Sequence, residues 1–369
     1  MDRPEEGDRP ALPALLAVVV ALAGLAFSFT PLAERLDAWL LDREWSVLRA
    51  VAPRPAPDAI VIVGIDEASV AAIPQPLGVW NEPLGEVLVR IASGHPRAIA
   101  LDMALPDRSL DGLRPGLDRA LLVGLAAARR NGPVVAAVTI DARTRSARPI
   151  FAPYVAVLGE DGLGIDLMAR DIDGVTRRFS LALPIEGGGF PTFAGRVCMR
   201  LTQRCSDGLL DFALGAPLRY VPFHTVLEMR DAARVRELFE GRIVLVGNAQ
   251  RYTERIAVPF ALAAWEPGAR DVPGIVAHAQ ALRTALAGTA PREVSRAVTA
   301  LLVMLAALLV LARRGIHALA GAVAGVLLLA GLAVTALHGA SFVPVGAGLV
   351  TLGAAGVVAA VRARYRFVH

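Results

Sequence analysis

The chain contains no lysine: all 38 residues of its Lys+Arg total are arginine. This excludes a Walker A loop, whose lysine must reach the β- and γ-phosphates. It also excludes a kinase strand lysine, a Schiff-base lysine and a Ser-x-x-Lys pair. No serine stands in a Gly-x-Ser-x-Gly elbow, so that hydrolase architecture is excluded too. Cysteine is nearly absent. Cys198 and Cys205 are spaced i,i+7, about 10 Å apart along a helix axis; the spacing predicts no disulfide within a regular helix and does not report a redox compartment. Aromatics make up 5% of the residues, so the hydrophobic content of 55% is chiefly Ala, Val and Leu. The net charge is only +4 and no dense basic patch interleaves with aromatics, which excludes a nucleic-acid partner. No fixed-period repeat or low-complexity tract occurs, and Gly162-Leu163-Gly164 lacks the third glycine and following helix of a dinucleotide loop.

What is present is long apolar sequence. Over 369 residues the mean hydropathy is +0.52, too apolar for an ordinary soluble enzyme. Four runs predict transmembrane α-helices: 11–29 at the N-terminus and 297–312, 316–337 and 342–361 at the C-terminus. Residues 11–29 are uncharged, and acids balance the arginines before them, which favours a retained anchor over a cleaved signal peptide. Arg313, Arg314, Arg362, Arg364 and Arg366 fall on one side if all three C-terminal runs cross, and the junction at His338-Gly339 has none. The arginine-rich side is cytoplasmic by the positive-inside rule. This predicts a multi-pass protein of the inner (plasma) membrane, with cytoplasmic tails at 1–10 and 362–369 and residues 30–291 outside. No run contains an interior Asp, Glu or Arg, so an ion or proton pathway lacks its lining.

The central block opens with an amphipathic helix, Leu32 to Ala50, closed by the proline-rich stretch Pro53 to Pro57. Ile60 to Ile65, Ala98 to Leu101, Val134 to Ile140 and Arg242 to Val246 read as buried strands. Pro83 to Ser93, Pro115 to Arg130, Pro191 to Arg204, Ala232 to Phe239 and Pro273 to Ala287 read as helices, the last ended by Gly288. Asp171-Ile172-Asp173-Gly174-Val175 is a turn, and Arg177-Arg178 its solvated flank. Alternating strands and helices predict an α/β domain with a mixed, partly parallel sheet flanked by helices.

Five stretches in order resemble the type-2 CHASE domain, the extracytoplasmic sensory domain associated with bacterial cyclases and histidine kinases. They are Ile-Val-Ile-Val-Gly-Ile-Asp-Glu at 60–67, Arg-Ala-Ile-Ala-Leu-Asp at 97–102, Asp-Ile-Asp-Gly-Val-Thr-Arg at 171–177, Gly-Arg-Ile-Val-Leu-Val-Gly at 241–247 and Pro-Gly-Ile-Val-Ala-His at 273–278. The resemblance covers roughly residues 30 to 361. It implies a sensor without enzymatic activity, in a stand-alone form whose sequence leaves no room for an output domain after 361. The family's Trp-Pro-rich segment is reduced to Trp80-Asn81-Glu82-Pro83, and the loop 248–272 matches only through Val258-Pro259. Both loops are expected to border the sensing surface, so ligand type is not carried over.

The expected ligand-binding residues are Asp66, Glu67, Asp102, Asn248 and His278, with no catalytic residue, metal or cofactor. Asp66 and Asp102 end two strands read as neighbours, at the sheet edge where open α/β folds bind ligands. Paired carboxylates there either hold a cation or a ligand or cap the following turns. His278 has no second His or Cys at ligand spacing and reads as a structural histidine. The functional expectation is a membrane-embedded receptor, a homodimer by sensor architecture, that binds an unknown extracytoplasmic ligand and signals to an unknown partner in trans. The alternatives are an envelope assembly or scaffold protein, using Gly321 and Gly325 for close helix approach, and a metal-dependent outer-face hydrolase built on Asp66 and Asp102.

Overall fold

The computed structural model describes residues 11–56, 60–141, 143–144, 146–185, 188–202, 204–313 and 316–366. The tail expected at 1–10, Pro57 of the proline-rich stretch and Arg314 lie outside the described residues, as do 367–369. In chain order the elements are α1 (Ala11–Phe27), α2 (Pro31–Val51), β1 (Ile60–Ile65), α3 (Glu67–Ala72), α4 (Asn81–Ser93), β2 (Ala98–Asp102), α5 (Leu117–Asn131), β3 (Val134–Val138), α6 (Ala152–Leu158), β4 (Leu163–Ile165), α7 (Phe193–Leu201), β5 (Tyr220–Pro222), α8 (Phe223–Glu228), α9 (Ala232–Phe239), β6 (Ile243–Asn248), α10 (Gly274–Ala287), α11 (Arg296–Ala312), α12 (Ile316–His338) and α13 (Gly346–Arg366). Two compact units emerge: Pro53–Ala290, and a helical unit made of Met1–Ala52 with Pro291–His369. The division at Ala52 assigns α2 to the helical unit.

In the first unit β1 to β6 form one sheet in the order β4-β3-β2-β6-β1-β5. Every pairing in it is parallel. Antiparallel pairing, expected within a mixed sheet, occurs among the described residues in three separate two-stranded ribbons and one isolated bridge, Ile140 to Ala147. The strands are runs of Val, Ile, Leu and Ala because parallel strands are covered on both faces. Val63, Ile65, Ile99, Leu101, Val134, Ala136, Val244 and Val246 join one core with residues of α4, α5, α6, α8 and α9. The alternate residues face α7 and α10, which pack against each other and against the sheet. At Gly247 a Cβ would sit 2.8 Å from the Asp102 carbonyl oxygen and 3.0 Å from Ile275 Cδ1. Glycine there lets α10 lie close to the sheet.

Five expectations for this unit need correction. Asp66 and Asp102 do not end neighbouring strands, because β6 inserts between β1 and β2. The helix expected to reach Arg204 stops at Leu201, where Thr202 turns extended. The chain then doubles back, and Cys198 and Cys205 come to a Cα separation of 6.2 Å and form a disulfide. Arg177 is no solvated flank: it is 2% exposed and pairs through both terminal nitrogens with Asp173 at 2.9 and 2.8 Å. Its neighbour Arg178 reaches Asp171 at 2.7 Å, so the aspartates of the turn exist to hold the arginines. Trp80 is no border of a surface loop: it is 2% exposed, donates from Nε1 to the Gln75 carbonyl at 2.7 Å and lies 5.3 Å from the Phe223 ring.

In the helical unit α1, α11, α12 and α13 pack together around Ala307, Val310, Leu311, Ala322, Leu352 and Ala355. Gly321 and Gly325 face Val310 and Leu352 of this same bundle, not an outward docking face. Of the four expected spans, α12 alone is long and apolar enough to cross a membrane among the described residues. Helices 296–312 and 346–361 are shorter apolar segments. Residues 18–27 of α1 form a candidate span only jointly with α2, from which they are bent by 75°. The expected last span is also shifted: Ser341–Phe342 is a strand paired with Arg292–Glu293, and α13 runs from Gly346 through to Arg366.

Candidate functional site

The strands of a parallel sheet all point their carboxyl ends to one edge, where the backbone leaves the ladder and polar side chains collect. Here that edge carries two polar clusters separated by β6. Asp66 follows β1 and caps α3: its Oδ1 accepts from the Ser69 backbone N–H at 2.8 Å and from the Ser69 hydroxyl at 2.6 Å. Its Oδ2 accepts from the Tyr220 hydroxyl at 3.1 Å. Burial alone would raise the Asp66 carboxyl, but these hydrogen bonds and the nearby His224 outweigh it and hold it below the usual carboxylate value. Burial and the Asp66 charge push Tyr220 up to about 12, so it remains a phenol that donates.

His224 Nδ1 lies 3.0 Å from Ser69 Oγ. The one hydroxyl proton of Ser69 is given to an acceptor-only carboxylate, so the His224 contact is made by Nδ1–H donating to Oγ. The order is therefore carboxylate, serine, histidine. A hydrolytic triad places histidine between the other two and exposes the serine; here Ser69 is fully buried. Beside the cluster, Glu67 Oε1 accepts from the Arg251 N–H at 2.8 Å, and Trp265 meets the Tyr220 ring edge-on at 4.6 Å. Both partners come from the loop after β6, so that loop does border this edge.

The second cluster joins Asp102, Asp166 and His278. His278 sits one turn into α10, 3% exposed, with Nε2 3.0 Å from the Asp166 carbonyl oxygen and 3.9 Å from Asp102 Oδ1. A carbonyl only accepts, so Nε2 carries the proton. Its ring packs edge-on against Phe193. Burial pushes the Asp102 carboxyl up, partly offset by His278 and reinforced by the Asp166 charge. Asp166 Oδ2 accepts from Thr139 at 3.0 Å, while its Oδ1 is buried with no hydrogen-bond partner among the described residues.

Of the five expected residues, the structure brings Asp66 and Glu67 into the first cluster, and Asp102 and His278 into the second. Asn248 ends β6 between them, and its side chain accepts from the Gln250 N–H of its own turn at 2.8 Å. Asp66 and Asp102 stand two strands apart, roughly 10 Å by strand spacing. A shared cation, which needs oxygens within about 2.6 Å of the ion, does not fit between them. Among the described residues no group of three His, Cys, Asp or Glu side chains could hold a metal ion. Sequence reasoning missed Ser69, Tyr220, His224, Trp265 and Asp166. Only Ser69 left a signal, as the third residue after a capping Asp.

A family model for the CHASE2 domain matches residues 14–313. The chain belongs to the CHASE2 domain family. No curated protein and no solved structure matches it. CHASE2 is a sensory domain family, whose members are extracytoplasmic modules of membrane proteins. The matched region runs from within α1 to the end of α11, so in this chain the CHASE2 region includes helices of the helical unit as well as the sheet. The matched region holds both polar clusters: Asp66 follows β1, Asp102 ends β2, and His278 lies in α10.

The helical unit has a polar junction of its own. Asp37 on α2 is 4% exposed and accepts from the N–H of Gly346, the first residue of α13, at 2.8 Å. Its other oxygen lies 3.5 Å from Arg296, the first residue of α11. Arg296 also meets Glu34 at 3.8 Å and Glu293 at 3.4 Å. One buried carboxylate thus ties α2 to the first residues of two apolar helices.

Proposed function

We propose that this CHASE2 chain is a membrane-bound receptor of the inner (plasma) membrane, with its sheet-bearing region outside and its signal read by a separate partner. The observation that carries this reading is the outward apolar surface of the helical unit. Leu309 is 68% exposed, Ile316 76%, Leu327 68%, Leu328 73% and Val357 64%. Large contiguous apolar surface of this kind needs lipid or protein cover. α1, α11, α12 and α13 would each cross, the shorter ones with local thinning of the bilayer or snorkelling of flanking residues. The Cys198–Cys205 disulfide supports an oxidising compartment for the sheet.

A ligand would bind at the carboxyl edge, through the neighbourhood of Asp66, Glu67, Asp102, Asn248 and His278. It would bias one of two arrangements of the domain, and the shift would pass on to the helices. A homodimer is the natural oligomer for such a receptor, and a partner in trans would read the displaced helices. Topology is tested with reporters fused at residues 150 and 340. Both are expected to report the outside, and fusions at 314 and 366 the cytosol. A cytosolic residue 150 would overturn the proposal. Ligand binding is tested by thermal shift of the full chain, since a ligand held by the folded state alone raises its melting temperature.

A further inference from the structure

α2 is an amphipathic helix turned inside out. Its buried face carries Asp37 and Glu44 besides Ala33, Ala38, Leu41, Trp45 and Leu48. Its exposed face carries Leu32 at 63%, Trp39 at 52% and Val47 at 44%. Arg35 and Arg43 are exposed with them. At about 100° per residue, positions 32, 35, 39, 43, 46, 47 and 50 fall on one stripe. No carboxylate lies on that stripe. Glu34 points to Arg296, Asp37 and Glu44 are buried, and Asp42 stands half-buried at the margin. The Arg43 guanidinium lies over the Trp39 ring, 5.0 Å from its centroid.

The stripe continues an apolar surface. Leu15, Val18, Val19 and Leu22 of α1 are 60%, 47%, 51% and 53% exposed, and Phe29 in the connecting turn is 58% exposed. At that turn the axis bends by 75°. A helix that leaves the bilayer along its normal and bends so far must then run nearly in the membrane plane. Tryptophan and arginine on an apolar stripe are the side chains that settle at headgroup depth. The ring seats at the boundary with the acyl chains, and each guanidinium reaches phosphate oxygens in fork geometry.

We infer that α2 is an interfacial helix whose Leu32–Arg35–Trp39–Arg43–Val47 stripe rests on the phospholipid surface and recruits anionic headgroups. The inference rests on the proposed membrane attachment and adds a lipid-recognition surface to it. A receptor built this way holds the Asp37 junction at headgroup depth, where bilayer composition bears on it directly.

The test uses the full chain in liposomes containing lipids brominated on the acyl chains near the headgroup. Of the four tryptophans, Trp45 and Trp80 are 0% and 2% exposed and Trp265 packs on Tyr220, so Trp39 dominates the lipid-quenchable fluorescence. Bromolipid is expected to quench the wild type, and Trp39→Phe, which leaves the core intact, is expected to remove most of the quenchable signal. Brominated anionic lipid is expected to quench more than brominated zwitterionic lipid, with a preference on the order of fivefold for each arginine near the surface. The Arg35→Gln/Arg43→Gln pair is expected to abolish that preference. A quenchable signal unchanged by Trp39→Phe overturns the interfacial helix. Equal quenching of the wild type by the two lipids overturns its anionic selectivity. Failure of the wild-type chain to float with liposomes overturns the membrane reading itself, so the two failures are told apart.

Discussion

Replacing Asp66 by alanine removes three hydrogen bonds at one stroke, and the cost can be worked from the partners left behind. Loss of the α3 cap costs about 1 kcal/mol. The Ser69 hydroxyl, fully buried, loses its acceptor, which costs about 1–3 kcal/mol. The Tyr220 hydroxyl is only half-buried and regains part of its bonding from water, adding about 1 kcal/mol. The sum is about 3–5 kcal/mol, or roughly 10 °C in melting temperature for a unit of this size. Asp66→Asn keeps an acceptor oxygen and is expected to cost about 1–2 kcal/mol. The two variants also differ from wild type in pH dependence. The Asp66 carboxyl is held below its ordinary value of 3.8, so its contribution is fully present above that value and is lost as pH falls through the lowered one. Wild type should therefore show a destabilising acid limb below about pH 4 that Asp66→Asn lacks. Near-UV circular dichroism of the full chain in detergent, melted across a pH series, reads both effects. An alanine variant that melts with wild type, or an asparagine variant as unstable as alanine, would refute the reasoning.

Three further outcomes are expected. Reductant should lower the melting temperature of wild type but not of Cys198→Ser, because the bridge spans a sequence separation of only 7 and a loop that short is worth about 2 kcal/mol; free-thiol labelling of unreduced protein at both cysteines would refute the disulfide. Gly247→Ala should cost about 1–3 kcal/mol by overpacking, since its Cβ would meet the Asp102 carbonyl oxygen at 2.8 Å, and a neutral urea midpoint would show that α10 does not lie this close. Glu44 is 6% exposed, and burial, with the Asp37 charge adding, pushes it up to about 8. An acid raised on folding favours the native state most at low pH, so wild type should lose stability between about pH 4.5 and pH 8, and Glu44→Gln should flatten that slope; identical slopes would show that Glu44 is hydrated.

Local structure was legible where a local pattern specifies it. Runs such as 60–63 and 243–246 are chiefly β-branched and apolar because both faces of a parallel strand are covered, and Gly288 closes α10 with φ +64°. Strand order was not legible. β6 lies more than 140 residues beyond β2 in the chain, and nothing in either stretch specifies that they pair. This one insertion separates Asp66 from Asp102 and disposes of a shared cation site. β5 escaped notice because it is three residues ending in proline, tolerable only at a sheet edge, and with it went Tyr220 and His224. Arg177 was misread because charge suggests solvent, whereas Asp171 and Asp173 had already supplied its counter-charges in the same turn. The cysteines were misjudged because the spacing argument assumed a helix that Thr202 terminates.

The arrangement of the edge constrains how a sensor of this kind can work. In the first cluster every carboxylate oxygen of Asp66 is already engaged, so a ligand there must displace Ser69 or Tyr220 at a cost comparable to what it gains. The second cluster is different. Asp166 Oδ1 is buried with no partner among the described residues, and a single charge-assisted hydrogen bond to it would be worth about 1.5–3 kcal/mol. Moving a two-state equilibrium from one arrangement to the other takes about 5.5 kcal/mol of differential affinity. One new bond to Asp166 is too little, and two, to Asp166 and Asp102, sum to about 3–6 kcal/mol and reach that figure only at their strongest. A donor-rich or cationic ligand that bridges both would also draw His278 with it, since Asp166 holds that ring through its carbonyl oxygen. His278 lies on α10, and the chain passes from α10 to the Arg296 end of α11 through only residues 289–295. On the proposed reading, the bonds that would bias the sensor are those to Asp102 and Asp166, because both oxygens of Asp66 are already engaged.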